Sequence, residues 1–126
     1  MGETGIDLHY PEGKATLQLQ QAFCRAQCEL ARKLELPIVI HSRDAFEETM
    51  EILKAYTDLT LYFHCWSYGV NELKQVLKIF PSVYIGFVGV ITYPKAEEIR
   101  QTLLLTPKDK ILIETDAPYL APQHIR

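Results

Sequence analysis

The chain has 126 residues, the size of one ordinary domain, and at 48% hydrophobic and 23% charged residues it can bury a real core. Thirteen Lys and Arg against sixteen Asp and Glu give a net charge of −3, which argues against a non-specific nucleic-acid binder working through a basic face. Phosphate chemistry carried by bound metal ions stays open. No apolar run approaches the ~20 residues that span a bilayer, so no membrane role is expected.

The first clear helical spacing runs from about Ala15 to Leu34, with Phe23, Ala26, Leu30 and Leu34 on one stripe. Pro37 ends it and opens a strand, Ile38-Val39-Ile40, that runs directly into His41. Asp44, with Glu47 three residues on, predicts a capped helix whose apolar face is Phe46, Met50 and Leu53. A second strand, Leu59 to Phe63, ends in His64. Leu73, Val76, Leu77 and Phe80 mark the next helix, which Pro81 stops. A third strand covers Val83 to Phe87. Pro94 suits the first turn of a helix carrying Ile99 and Leu103. A fourth strand, Lys110 to Ile113, leads to Glu114-Thr115-Asp116, and Gly2 to Asp7 forms the stub of one more.

The strand ends are regularly spaced: 23 residues from His41 to His64, 23 from His64 to Phe87 and 29 from Phe87 to Asp116. That alternation predicts βα units of a parallel sheet covered on both faces, in a single domain over 1–126. Cys24, Cys28 and Cys65 complete no zinc-ribbon spacing and read as small buried or half-buried thiols of a reducing compartment. The cytoplasm is therefore the expected location, with the nucleus also open.

Glu3, His41, His64 and Asp116 are read as lying at or just after the C-terminal ends of apolar strands or stubs. In a parallel sheet those ends share one edge, and in a barrel they converge on one mouth. Two imidazoles and two carboxylates suit a pair of borderline divalent cations such as Zn²⁺. Each residue also has a plainer role: a solvated strand-end histidine, a turn-capping Asp116 ahead of Pro118, an exposed terminal Glu3. Arg43 suits a bidentate grip on a phosphate or a salt bridge to Asp44 or Glu47. Trp66 and Tyr68 suit stacking on a base or covering the rim. His9 and His124 fall in polar, Pro-containing segments and are assigned to the surface.

Four segments, in order, resemble the TatD family of metal-dependent hydrolases within the amidohydrolase-like TIM barrels. They are Gly2-Glu3-Thr4-Gly5-Ile6-Asp7, Ile40-His41-Ser42-Arg43-Asp44-Ala45, Phe63-His64-Cys65-Trp66-Ser67 and Glu114-Thr115-Asp116-Ala117-Pro118-Tyr119-Leu120-Ala121-Pro122. The resemblance implies a partial TIM barrel of about five of the eight βα units. It implies Glu3 as a bridging carboxylate, His41 and His64 as ligands of one metal, and Asp116 as a ligand of the other that also activates water. The cofactors would be divalent ions, Mg²⁺, Zn²⁺ or Mn²⁺, up to two in the intact family, with one also open here. The implied activity is phosphodiester hydrolysis by a metal-activated water, of the 3′–5′ exonuclease or DNase type, with DNA as substrate.

Family members open with a His-x-His strand, and no two histidines here are two apart. Nor does the chain carry the helix that closes the family's barrel. Set against the family it reads as a truncated product, a fragment, or a chain completed by a partner. Open sheet edges then predict marginal stability or self-association. Two alternatives stand beside the nuclease. One is an inactive piece that binds one divalent ion or serves as an interaction module. The other is an amidohydrolase-like enzyme acting on a small amide or ester.

Overall fold

The computed structural model describes every residue, Met1–Arg126. Five parallel strands form one sheet in chain order: β1 (Thr4–Asp7), β2 (Ile38–Arg43), β3 (Leu61–Phe63), β4 (Val83–Phe87) and β5 (Ile111–Ile113). The connections carry α1 (Pro11–Ala15), α2 (Leu17–Leu34), α3 (Phe46–Leu53), α4 (Val70–Ile79) and α5 (Glu97–Leu105). Sequential neighbours joined by helical crossovers are what the βα alternation dictates. The stub at the N-terminus is a genuine strand, paired with β2 through Gly5 opposite His41. Gly5 has φ +155°, and a Cβ there would run into the His41 carbonyl, so only glycine lets β1 sit this close beside the histidine.

Residues of β1 to β3 and the start of β4 alternate between two environments. Ile6, Ile38, Ile40, Leu61, Phe63, Val83 and Ile85 are fully buried beneath the helices. The opposite positions, including Val39, Tyr62 and Tyr84, are half-buried. This second face is the one a closed barrel would turn inward, and it carries His41, His64 and Glu114. The arc is open at both ends, and Ile113 on the outer strand is 92% exposed.

Several local expectations are corrected. In α2 the buried residues are Cys24, Cys28 and Ala31, while Phe23 is 59% exposed and Leu30 and Leu34 are exposed with it. Small side chains let the helix lie close on β1, and the larger apolar stripe faces outward at the edge of the arc. Asp44 does not cap α3: its φ is 51°, the N-cap is Ala45, and its carboxylate instead accepts from His9 Nδ1 at 2.7 Å. Pro94 lies three residues ahead of α5, in the turn before it, and Glu97 opens the helix. No helix is long and apolar enough to cross a membrane.

Candidate metal and catalytic site

Each site residue follows from strand alternation. His41 lies within β2, two residues from its end, and His64 follows β3, both on the half-buried face. Glu114 and Asp116 follow β5 on the same face. Glu3 corrects the expected pattern, because it directly precedes β1 rather than following a strand. The chain before β1 already runs along β2, where Met1 O accepts from Val39 N at 2.8 Å, and this aims the Glu3 carboxylate up the same face.

There the four expected residues meet. Glu3 Oε2 lies 3.5 Å from His64 Nε2, and Glu3 Oε1 lies 3.9 Å from His41 Nδ1. Asp116 Oδ1 is 3.5 Å from His64 Nε2. Side chains separated by more than a hundred residues thus share one rim.

Two carboxylates that sequence reasoning passed over complete the geometry. His41 Nε2 donates to Asp7 Oδ2 at 3.0 Å, and His64 Nδ1 donates to Glu114 Oε2 at 2.6 Å. An ionised carboxylate only accepts, so the facing nitrogen carries the proton in each pair. In the neutral ring the other nitrogen, Nδ1 of His41 and Nε2 of His64, presents its lone pair toward Glu3. Acids that orient histidines in this way are the usual second layer around a metal. The signal was present in the sequence, since Asp7 ends its strand and Glu114 directly follows one, on the same face as the histidines.

The electrostatics point the same way. Burial disfavours a charged His64, but the Glu114 hydrogen bond and the charges of Glu114, Glu3 and Asp116 outweigh it and raise the pKa above the usual imidazole value. Burial, then the same three carboxylates, pushes the Cys65 thiol up to about 12. Cys65 Sγ is 3.2 Å from His64 Nε2, on the edge of the same cluster, and the ligand atoms of His64, Cys65 and Glu114 lie within 4.8 Å of one another. Burial also works on Asp7, but the His9 amide, the His41 hydrogen bond and the charges of His41 and Arg43 bring its carboxyl below the ordinary range. Converging carboxylates with two inward lone pairs and no lysine or arginine paired to them form a donor set that fits a divalent cation.

Arg43 is on the His41 face, at the end of β2, and makes no ion pair. Its guanidinium stands over the Tyr10 ring, 5.6 Å from the centroid. Trp66 and Tyr68 are not stacking platforms. Trp66 is 3% exposed and packs edge-on against Phe63 and Tyr68. The Tyr68 hydroxyl is tied to Ser42 Oγ at 2.7 Å and accepts from the Ala45 amide at 3.2 Å. They fix the loop behind His64 by filling the core. Cys24 and Cys28 are on the buried face of α2.

An α/β arc of parallel strands with histidines and carboxylates gathered along one rim is part of a TIM-barrel hydrolase fold. The whole chain, residues 1–126, matches the family model described as TatD related DNase, and it belongs to that family. It is 36% identical over 126 residues to the human protein named 3′-5′ RNA nuclease TATDN2, covering 98% of this chain and 16% of that one. It is 36% identical over 125 residues to YcfH of Escherichia coli K12, named an uncharacterized metal-dependent hydrolase, covering 97% of this chain and 45% of that one. The crystal structure of YJJV, a TatD homologue from Escherichia coli K12, superposes with a TM-score of 0.86 at 29% identity, over 96% of this chain and 46% of that chain. This chain therefore spans about half the length, or less, of the relatives it matches.

Proposed function

We propose that the rim binds a divalent cation and that the chain works as a metal-dependent hydrolase of phosphodiesters, with a nucleic-acid end as substrate. The observation that carries this reading is the convergence of Glu3, His41, His64 and Asp116, with one ring nitrogen of each histidine bonded to an acid and the other turned toward the Glu3 carboxylate. So many carboxylates in one place would repel a phosphate, so substrate approach itself calls for a bound cation. Glu3, His41, His64 and Asp116 are the residues that would hold it. Such a cation lowers the pKa of water toward neutrality and offsets the charge that develops on phosphorus oxygens. Asp116 orients the attacking water and takes its proton. Arg43, free of any ion pair, holds a non-bridging phosphate oxygen.

DNA is the substrate assigned to this chain, in line with the family's description; the human relative's name makes RNA the necessary comparison. The deciding experiment titrates the chain with Zn²⁺, Mn²⁺ and Mg²⁺ by calorimetry and then offers end-labelled DNA and RNA oligonucleotides. Ion uptake with ion-dependent loss of terminal nucleotides is expected. No uptake of any of the three ions would refute the assignment of the rim.

A second reading keeps the ion and drops the turnover. It rests on the rim itself, where His41 and His64 are the only imidazoles, fewer than two ions usually take. Uptake of one equivalent, with intact oligonucleotides, would favour it. Cleavage of small amides or esters instead would move the substrate class to carbonyl compounds.

A further inference from the structure

We propose that Glu114 is a positioning residue that fixes the ring of His64 from across an intervening strand, and that Gly86 is glycine to let it do so. The inference rests on the reading of the rim as a cation site and adds to it a residue that holds no ion itself.

Glu114 follows β5, whereas His64 follows β3, and β4 lies between them. The Glu114 carboxylate crosses that gap and is used up on the far side. Oε2 accepts from His64 Nδ1 at 2.6 Å and from the Tyr62 hydroxyl, and Oε1 accepts from the Cys65 amide at 2.6 Å. With three donors, and a side chain only 13% exposed, Glu114 is the most enclosed acid at the rim. Its oxygens face the back of the His64 ring, away from Glu3 and Asp116, which meet Nε2 on the front. A group so placed controls ring orientation and tautomer.

The path is open only because position 86, in β4, has no side chain. A Cβ there would overlap the Glu114 carboxylate and come within 2.7 Å of Cε2 of the Tyr62 ring. Gly86 has no need of glycine's backbone freedom: its φ lies outside the positive range, so its value is the space it leaves. Glu114, Gly86 and Tyr62 form one device spanning three strands, aimed at a single imidazole. Asp7 does the same for His41, but from the neighbouring strand and at 33% side-chain exposure, so its hold is weaker.

The test combines a variant-free measurement with two substitutions. In the metal-free wild-type chain, at a pH where His64 is neutral, two-bond ¹H–¹⁵N correlation spectra report which ring nitrogen carries the proton. Protonated Nδ1 is expected, and protonated Nε2 overturns the proposal. Glu114→Gln and Gly86→Ala, each checked for folding by circular dichroism, are then titrated with Co²⁺ and read by its visible absorption. Both are expected to bind about 10- to 100-fold more weakly than wild type with an altered spectrum, although neither removes a ligand. Wild-type affinity and spectrum in a folded Glu114→Gln variant would overturn the role. If wild type takes up no Co²⁺, the cation reading of the rim fails, and the tautomer alone judges whether Glu114 sets the ring. If a variant does not fold, the tautomer again decides.

Discussion

Replacing Asp116 with asparagine separates chemistry from structure at this rim. The side chain is 40% exposed, its one ion pair is with His64 Nε2 at 3.5 Å, and the local turn is held by main-chain groups, with Tyr119 N donating to Asp116 O at 2.7 Å. Asparagine has the same shape, so the fold should lose no more than about 0.5 kcal/mol, the range of ordinary surface changes. An amide cannot take a proton from water. Loss of a general base costs typically about 10²- to 10⁴-fold in rate, equivalent to about 3 to 5.5 kcal/mol of activation free energy. The proposed role also makes Asp116 an anionic ligand, so turnover must be compared at saturating metal, with the metal-binding curve measured separately. The assay is the release of terminal nucleotides from labelled oligonucleotides, beside urea unfolding of both proteins. Turnover equal to wild type at saturating metal would remove Asp116 from the reaction, whatever the shift in affinity.

The remaining expectations concern stability, pH and association. Trp66 is buried against Phe63 and Tyr68, so Trp66→Ala should destabilise the chain by about 3 to 5 kcal/mol. Its indole Nε1 has no hydrogen-bond partner, so Trp66→Phe sacrifices volume but no hydrogen bond and should cost clearly less; equal losses in urea melts followed by circular dichroism would contradict this. In the metal-free chain His64 has a folded pKa above its ordinary 6.5. The native state therefore binds the extra proton, and the stabilisation is complete below about pH 6.5 and is lost as pH rises through the folded value. Urea midpoints compared between about pH 6 and about pH 9 should fall more in wild type than in Glu114→Gln; parallel profiles would show that Glu114 does not lift His64. Finally, Ile113 at the open edge, and Phe23, Leu30 and Leu34 on α2, leave apolar surface that favours association. Sedimentation should show concentration-dependent self-association that Ile113→Lys reduces, and a wild-type chain that stays monomeric throughout would contradict the expectation.

The order of strands and helices was legible in the sequence, because short continuous apolar runs and stripes at helical spacing report local geometry directly. The polar residues His41, His64 and Asp116 stood out for the same reason: parallel topology carries successive strand ends to one edge. Which face of α2 is buried was not legible, since Phe23 and Leu30 look like core until the close fit of Cys24, Cys28 and Ala31 on β1 decides otherwise. Nor could spacing show that Asp44 would bind His9 rather than cap α3, or that Trp66 and Tyr68 would turn inward. The reach of Glu114 over Gly86 to His64 is likewise a property of three strands side by side. A one-dimensional pattern records what each segment prefers for itself; the partners of a long side chain depend on register and on the space its neighbours leave, and those exist only after the strands have assembled.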